Sequence, residues 1–254
     1  MFYVGIDIGS TSAKVAVLDE DKRIIEHSVC PTGWNSVETA DKIRLSLRDK
    51  GMEEGDMRVV ATGYGRVSVR YAHKAVTEIT CHGKGAVHLF ANQNCAVLDI
   101  GGQDTKVILL EKGKVKDFVM NDKCSAGTGR FLEIMAATLG VPLVELFALA
   151  ESGSGITITS MCTVFAESEV ISLIGQGTPK EDIAYGVVDS IISRVHSQCG
   201  KLVANSQNIY LTGGLCEVDY ILDRLAQRLE KTVVSNGLGR YAGAVGAALC
   251  AMDL

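Results

Sequence analysis

The stretch VGIDIGSTSAKVAVL, residues 4–18, returns 92 positions later as AVLDIGGQDTKVILL, residues 96–110. Each copy has an apolar run, a polar turn that contains glycine, and a second apolar and β-branched run, a pattern that predicts a hairpin of two buried strands. At this constant offset Asp7 matches Asp99, and Gly9 matches Gly101. Self-similarity of this kind indicates two halves of similar design.

Strand and helix patterns continue through the rest of the chain. We expect helices at 71–90 and over the small-residue run 242–249, and a strand that leads into the Gly-Gly turn of NIYLTGG, 208–214. The alternation predicts a two-lobed α/β protein. We place the N-terminal lobe at 1–93 and the C-terminal lobe at 94–254.

Charge and composition exclude some classes of function. The 254 residues include 25 basic and 30 acidic side chains without a basic cluster, which argues against binding to nucleic acid or to an anionic membrane. The N-terminus lacks a basic leader, and no run of about 18 apolar residues is present, so we expect a cytoplasmic protein. The eight irregularly spaced cysteines are then expected to be reduced thiols.

The polar turns of the repeat are candidates for phosphate binding. Backbone N–H groups and hydroxyls at such turns can donate to phosphate oxygens. Asp7 and Asp99, at the strand ends, could hold Mg²⁺ through water. One such turn alone is equally well explained as structural, whereas two copies favour a nucleotide site. The candidate nucleotide-binding residues in and just after the turns are Gly9, Ser10, Thr11, Lys14, Gly101, Gly102, Gln103 and Asp104.

Two cysteines stand apart from the other six. Cys124 and Cys162 each follow a polar segment and precede a helix-like run, whereas the others are predicted to be small buried hydrophobic residues. A thiolate at a helix N-terminus is favoured by the helix dipole. The pair could be inert or redox-active thiols. Alternatively, a twofold-symmetric partner could complete the four thiolates that an iron–sulfur cube needs.

The phosphate turns resemble a known superfamily. DIGST (7–11), LDIGGQD (98–104) and LTGGL (211–215) are similar to the two phosphate motifs and the adenosine motif of the actin and hexokinase ATPases. That resemblance implies an actin/hexokinase-like fold with duplicated ribonuclease-H-like halves and ATP in the cleft between two lobes. It also implies an adenosine contact at Gly213 and Gly214, and a final helix that returns to the hinge.

In that superfamily the helix before the second phosphate motif closes over the γ-phosphate. Here that helix carries Glu78 and His82, which are one turn apart on one face. Either of these side chains could orient the attacking water. The catalytic candidates that we name are Glu78 from this helix, Gln103 from the second phosphate turn, and the two aspartates Asp7 and Asp99. A solvated glutamate and a capping histidine are the structural alternatives.

The cysteine segments carry a narrower resemblance. NDKCSAGTGRFLE (121–133), TSMCTVFAESEVIS (159–172), TGYGR (62–66) and EITCHG (78–83) look like the ATP-dependent activators of 2-hydroxyacyl-CoA dehydratases, relatives of the benzoyl-CoA reductase ATPase subunits. The resemblance implies a homodimer whose Cys124 and Cys162 bind one bridging [4Fe-4S] cluster. It further implies ATP, ADP and Mg²⁺ as ligands and ATP-dependent one-electron donation.

The same resemblance implies the partners. A ferredoxin or flavodoxin would supply the electron, and a 2-hydroxyacyl-CoA dehydratase, an aromatic acyl-CoA reductase or another cluster-bearing reductase would receive it. Two rivals remain open. One is a sugar or carboxylic-acid kinase of the same superfamily, and the other is a nucleotide-dependent regulatory protein with inert cysteines.

Overall fold

The structure, a computed structural model, describes residues 1–254 except Asp122, Met161, Lys201 and Asn205. The first part of the chain forms five strands and two α-helices, with short 3-10 turns at Glu54–Asp56 and Tyr64–Ser68. In chain order these elements are β1 (Phe2–Ile8), β2 (Ser12–Leu18), β3 (Ile24–Pro31), α1 (Ser36–Asp49), β4 (Met57–Thr62), β5 (Lys74–Ala75) and α2 (Glu78–Phe90).

The second part repeats the strands and adds helices. Its elements are β6 (Cys95–Ile100), β7 (Thr105–Glu111), β8 (Lys114–Asn121), α3 (Gly129–Thr138), α4 (Leu143–Ser152), α5 (Thr163–Gly175), α6 (Lys180–Cys199), β9 (Asn208–Gly213), α7 (Asp219–Leu229), β10 (Thr232–Val234) and α8 (Ala242–Ala251). A 3-10 turn at Gly239–Tyr241 precedes α8.

The chain forms two compact units. Unit 1 comprises Met1–Val97, Ile108–Asp117 and Gly237–Leu254, and unit 2 comprises Leu98–Val107 and Phe118–Asn236. The predicted division into lobes at 1–93 and 94–254 stays a prediction.

The internal repeat extends to the order of the strands. The first sheet has the order β3-β2-β1-β4-β5. The second sheet, read from its other edge, has the order β8-β7-β6-β9-β10, which is the same arrangement with β6 in the place of β1. The central pairs of the first sheet are antiparallel β1/β2 and parallel β1/β4, and the edge pairs β4/β5 and β9/β10 are both parallel. The duplication predicted from the two hairpin motifs therefore covers five strands in each half.

Unit 1 packs helices on both faces of its sheet. Alternate residues of β1, Val4, Ile6 and Ile8, belong to the core cluster that also contains the buried face of α1. The opposite face meets α8, and there Gly5 leaves no room for a side chain, since a Cβ would lie 1.8 Å from the carbonyl oxygen of Ala244. The alternation of large residues with glycine along β1 follows from these two different neighbours.

Helix α1 begins where the sequence supplies a cap. The Asn35 side chain accepts hydrogen bonds from the backbone N–H groups of Val37 and Glu38, and its amide donates to the Glu38 carboxylate at 3.1 Å. This reciprocal cap satisfies two otherwise unpaired helix amides.

Helix α2 is shorter than predicted. It begins at Glu78, while residues 74–75 form the edge strand β5 and His73 donates its backbone N–H to Val59. Sheet pairing with β4 thus overrides the helical pattern of 71–77. Glu78 and His82 remain one turn apart within α2.

Unit 2 contains α4, which the sequence patterns did not predict, and the long helix α6. The buried faces of its helices carry Phe131, Leu132, Met135, Leu146, Ile183, Val187, Ile191 and Val195. Among the described residues no single helix is long and apolar enough to span a bilayer; α3 and α4 pass that test only as a pair bent by 81°.

Helices α2 and α8 approach each other closely enough for their backbones to touch. A Cβ on Gly246 would lie 1.7 Å from the carbonyl oxygen of Cys81, and one on Gly85 would lie 1.9 Å from that of Ala242. We expect Gly246→Ala to lower the free energy of unfolding by about 3 kcal/mol or more, because the helices must separate. Urea denaturation measures this loss.

Gly175→Ala is the matched control. Gly175 is also helical and has no atom within 4 Å of its Cβ position, so the same substitution there should be neutral or stabilising. Equal unfolding midpoints for the two variants would contradict the packing of α2 on α8.

Candidate functional site

The first phosphate turn joins β1 to β2 and is held from behind by Thr32. The Gly9 N–H donates to the Ser12 carbonyl at 3.1 Å, and the Thr32 hydroxyl donates to the Gly9 carbonyl at 2.8 Å. Thr32 also donates its N–H to the Thr11 carbonyl at 3.0 Å. Ser10 is half-buried and Thr11 is exposed, so the turn has a fixed backbone with accessible hydroxyls.

Asp7 lies at the end of β1, where its carboxylate is enclosed by glycines. It pairs in the sheet with Lys14 on β2 and Thr62 on β4. A Cβ on either Gly63 or Gly243 would lie 2.5 Å from one of its carboxylate oxygens. Gly63 has a φ of +82°, a second reason for glycine there. The side chain is 5 % exposed.

One of the two helix candidates of unit 1, His82, borders the same glycine as the Asp7 carboxylate. His82 is buried, and its Nδ1 lies 3.5 Å from the Cβ position of Gly243, which also borders Asp7. Glu78 is the first residue of α2 and is half-buried. Their proposed roles in water activation stay predictions.

A buried lysine lies at the second copy of the motif. The Lys106 ammonium is 3.1 Å from Asp99 Oδ2 and 2.8 Å from Asp104 Oδ1, and all three side chains are buried. Removal of the lysine would leave two buried carboxylates without this cation, which is strongly unfavourable. We did not predict a role for Lys106, although its match to Lys14 in the repeat is a signal that points to it.

The predicted adenosine motif lies against the carboxylate of Asp99. Thr212 Oγ1 lies 3.3 Å from Asp99 Oδ1, and a Cβ on Gly213 would lie 2.7 Å from that oxygen. The Gly214 N–H donates to the Ile100 carbonyl at 3.2 Å. Unit 2 therefore brings Asp99, Asp104, Gly213 and Gly214 together, and their predicted contacts with a nucleotide stay predictions.

The second phosphate turn is bonded to the chain that follows Cys124. Gly129 and Arg130 donate their N–H groups to the carbonyls of Gly101 and Gly102 at 2.9 and 2.8 Å. The buried Thr105 hydroxyl donates to the Gly127 carbonyl at 2.6 Å. Helix N-terminal amides have no partner within their own helix, and here those of α3 bind the turn. Gln103 is exposed.

The two cysteine segments are joined by their next residues. Ser125 Oγ and Thr163 Oγ1 lie 2.9 Å apart, so the residues directly after Cys124 and Cys162 share a hydrogen bond. All eight cysteines lie in the described part of the chain, and among them only Cys124 and Cys162 are exposed. Asp122 and Met161, which belong to the quoted cysteine motifs, lie outside the described residues.

The settings of these cysteines differ in one respect. Cys162 is the N-cap of α5, as predicted. Cys124 instead precedes α3 by a turn in which the Thr128 hydroxyl donates to the Ser125 carbonyl at 2.6 Å. Gly127 has a φ of +90°, which lets this turn reverse before the helix. The expectation that Cys124 sits at a helix N-terminus is therefore wrong, because this turn intervenes.

The donor set fits half of an iron–sulfur cluster. Two exposed thiols from joined segments are two of the four thiolates that a [4Fe-4S] cube requires. A second copy of the chain would have to supply the other two.

Two of the cysteines predicted to be inert interact with each other. Cys81 on α2 and Cys250 on α8 share a side-chain hydrogen bond, which lowers the pKa of Cys250 to about 6 with help from Lys84. The same bond and burial raise the pKa of Cys81 far above its usual range. Cys81 is buried as predicted, but it is paired with a polar partner.

Comparison with known proteins places these features in a family. The profile of the BadF/BadG/BcrA/BcrD ATPase family matches residues 4–251. The (R)-2-hydroxyglutaryl-CoA dehydratase activating ATPase of Acidaminococcus fermentans is 41% identical over 254 residues, 99% of this chain and 97% of the relative.

Solved structures agree. The activator of the 2-hydroxyisocaproyl-CoA dehydratase from Clostridium difficile, with bound ADPNP, has a TM-score of 0.90 at 35% identity and covers 100% of this chain and 95% of that one. A ROK family glucokinase from Streptomyces griseus, 16% identical with a TM-score of 0.64 over 100% of both chains, shares the fold alone.

The predicted actin/hexokinase-like α/β fold is therefore confirmed. The repeated hairpins, the phosphate and adenosine motifs and the full-length profile match lead to one assignment: the chain is a member of the BadF/BadG/BcrA/BcrD ATPase family.

Proposed function

We propose that this chain is an ATP-dependent one-electron donor that activates a 2-hydroxyacyl-CoA dehydratase, working as a homodimer with one bridging [4Fe-4S] cluster. The observation that carries the proposal is the set of hydrogen bonds between the Gly101–Thr105 turn and the segment after Cys124. A phosphate site and a thiol site that share a rigid connection can exchange conformational free energy.

The nucleotide roles follow the geometry of each turn. ATP and Mg²⁺ are the proposed ligands, with phosphate contacts from the turn residues named above and an adenosine contact from Gly213 and Gly214. Asp7 and Asp99 are each proposed as a carboxylate contact of hydrated Mg²⁺, because Mg²⁺ keeps several waters and takes one or two carboxylates. Glu78 or Gln103 orients the attacking water.

The thiol site supports a dimer on two grounds. The chain has half of the ligands that a cluster needs, and apolar side chains are exposed around both cysteines. Val164 and Phe165, directly after Cys162, are 65% and 68% exposed, and Phe118, Val119 and Met120 are exposed on the strand that leads to Cys124. Exposed apolar surface next to an incomplete ligand set is what a shared interface requires.

When bound, the cluster would supply a site that accepts and releases one electron. The chain's own part is to change the surroundings of Cys124 and Cys162. A nucleotide shifts a conformational equilibrium only by the difference in its affinity for the two states. Movement of the second phosphate turn is transmitted to the Cys124 segment through the N-terminal amides of α3 and the Thr105 hydroxyl.

The partners follow from the relatives' printed activities and from the chemistry. A ferredoxin or flavodoxin in the cytoplasm supplies the electron, and a 2-hydroxyacyl-CoA dehydratase or a related acyl-CoA reductase receives it. The relatives from Acidaminococcus fermentans and Clostridium difficile are named for such dehydratases.

The ligand assignment predicts loss of iron from single-cysteine variants. Anaerobically purified protein should contain about four irons per dimer. Cys124→Ser and Cys162→Ser should each lose the iron and the visible chromophore while still binding ATP, because each removes two of the four shared thiolates. Iron and sulfide analysis with EPR measures this. Cys30→Ser, at a half-buried cysteine far along the chain, is the control. Full iron in the Cys124 variant would refute the assignment.

The Mg²⁺ assignment predicts a separate loss. Asp7→Asn and Asp99→Asn should each reduce ATP hydrolysis by about 100-fold, since charge stabilisation of the transferred phosphoryl group is lost. Their iron content should equal that of the wild type. Asp56→Asn, at an exposed carboxylate, should change neither quantity. A wild-type rate of phosphate release in either variant would remove that aspartate from the site.

The connection between the sites predicts an uncoupled variant. Thr105→Val removes the 2.6 Å hydrogen bond to Gly127 and keeps the side-chain shape. The ATP-dependent change in the rate of iron removal by a chelator should fall about fivefold, as expected for about 1 kcal/mol. ATP hydrolysis should persist.

Thr138→Val is the control for that experiment. It removes a hydroxyl from the far end of α3, where Thr138 donates to Ile134 and Glu167. If both threonine variants respond to ATP as the wild type does, the Thr105 contact does not transmit the change.

A further inference from the structure

Arg194 of α6 has no role in the motifs that define the nucleotide and thiol sites. It lies on a helix whose neighbouring residues Ile191, Ile192 and Val195 are fully buried core. A guanidinium beside such residues is unfavourable unless it is well partnered. The contacts of Arg194 therefore indicate its role.

One end of Arg194 holds the segment before Cys162. Its Nη2 donates to the Ser160 carbonyl at 2.6 Å. The N–H of the same Ser160 donates to Glu169 Oε2 at 3.0 Å, and Thr159 also bonds to Glu169. The approach to Cys162 is thus fixed from α5 on one side and from α6 on the other.

The rest of the side chain packs on the segment after Cys124. The Arg194 Cζ lies 5.1 Å from the ring centroid of Phe131 on α3. Its Cβ is 3.4 Å from the position that a Cβ on Gly127 would take. A single side chain from a third helix therefore contacts both cysteine segments.

The guanidinium of Arg194 lies between the two cysteine segments that it contacts. Burial lowers the pKa of the guanidinium, and its attraction to the thiolates of Cys124 and Cys162 opposes that shift. Arginine stays charged in proteins, so the cation persists. Its Nη1 is buried and has no hydrogen-bond partner among the described residues. The nearest acidic neighbour on α6, Asp189, is paired with Arg224 at 2.5 Å.

We propose that Arg194 is the positioning residue of the cysteine pair: it clamps both cysteine segments to α6 and supplies a fixed positive charge that favours the reduced state of the shared cluster. The second half of this proposal rests on the proposed function. One-electron reduction adds one negative charge to the cluster, so a nearby cation stabilises the reduced form and raises the potential.

The experiment compares Arg194→Met, Arg194→Lys and the control Arg228→Met in the full chain. Arg228 also contacts α6, through Ser193 Oγ at 2.7 Å, but is exposed. Methionine keeps much of the length and removes the charge. Lysine keeps the charge but removes the planar group that stacks and donates in a fixed geometry.

The contribution of Arg194 to the local stability of the two cysteine segments is measured on iron-free protein by amide hydrogen exchange. Amides of the segments 123–130 and 157–165 should exchange at least about tenfold faster in both Arg194 variants, because the hydrogen bond from a charged donor is lost or weakened. Arg228→Met should exchange as the wild type does. Unchanged exchange in both Arg194 variants would overturn the clamp, and chemical denaturation midpoints separate local opening from general destabilisation.

The effect of the Arg194 charge on the reduction potential of the cluster is measured on the reconstituted dimer by potentiometric EPR titration. At the wild-type midpoint, Arg194→Met should hold about tenfold more oxidised than reduced cluster, equivalent to 59 mV for one electron. Arg194→Lys should retain most of the wild-type potential. Equal potentials for Arg194→Met and Arg228→Met would overturn the electrostatic role.

The two proposals fail differently. Wild-type protein that never acquires iron overturns the bridging cluster and with it the electrostatic role of Arg194. The exchange rates of the iron-free protein still decide whether Arg194 clamps the segments.

Discussion

The hydrogen bonds from Thr105, Gly129 and Arg130 are the constraint on which unit 2 depends. They join the second phosphate turn to the segment that follows Cys124, and the proposed coupling of the two sites rests on this connection. These bonds use the first amides of α3, which would otherwise need water or a ligand. The proposed phosphate site and the exposed Cys124 are thereby connected through one short stretch of backbone.

In each half of the repeat, the residues that follow the third strand form hydrogen bonds back to the phosphate turn. In the first half, the residue directly after β3 is Thr32, which bonds back to Gly9 and Thr11. In the second half, the segment after β8 bonds back to Gly101 and Gly102. In the first half this connection is the single residue Thr32, which lies shortly before α1. In the second half it is a longer segment, which carries Cys124.

The charged groups of the two halves also diverge in burial. Lys106 is almost fully buried between two carboxylates, whereas its counterpart Lys14 is only half-buried with its ammonium near Gly9. The glycines around Asp7 and Asp99 share one function, because in each half a side chain would collide with a carboxylate oxygen. Close backbone approach thus encloses both aspartates, while the cations beside them differ.

The sequence by itself determined the duplication, the hairpin strands, the phosphate and adenosine motifs, and the separation of Cys124 and Cys162 from the other cysteines. These features depend on local periodicity and on motif spacing, which a linear pattern records. It did not reveal the true start of α2, where sheet pairing overrides the helical pattern, or the turn before α3, which hydrogen bonds to the second phosphate turn. Helix α4 was also not predicted, although LVELFALAES is rich in strong helix formers and its local sequence therefore favours the helix. The partnership of Lys106 with two aspartates, the pairing of Cys81 with Cys250 and the reach of Arg194 across both cysteine segments were decided only by the tertiary structure. The contacts of Cys81 with Cys250 and of Arg194 with the cysteine segments join residues distant in sequence. Lys106, Asp99 and Asp104 are close in sequence, but only the folded hairpin buries them together, where hydrogen bonds and charges are stronger than in water.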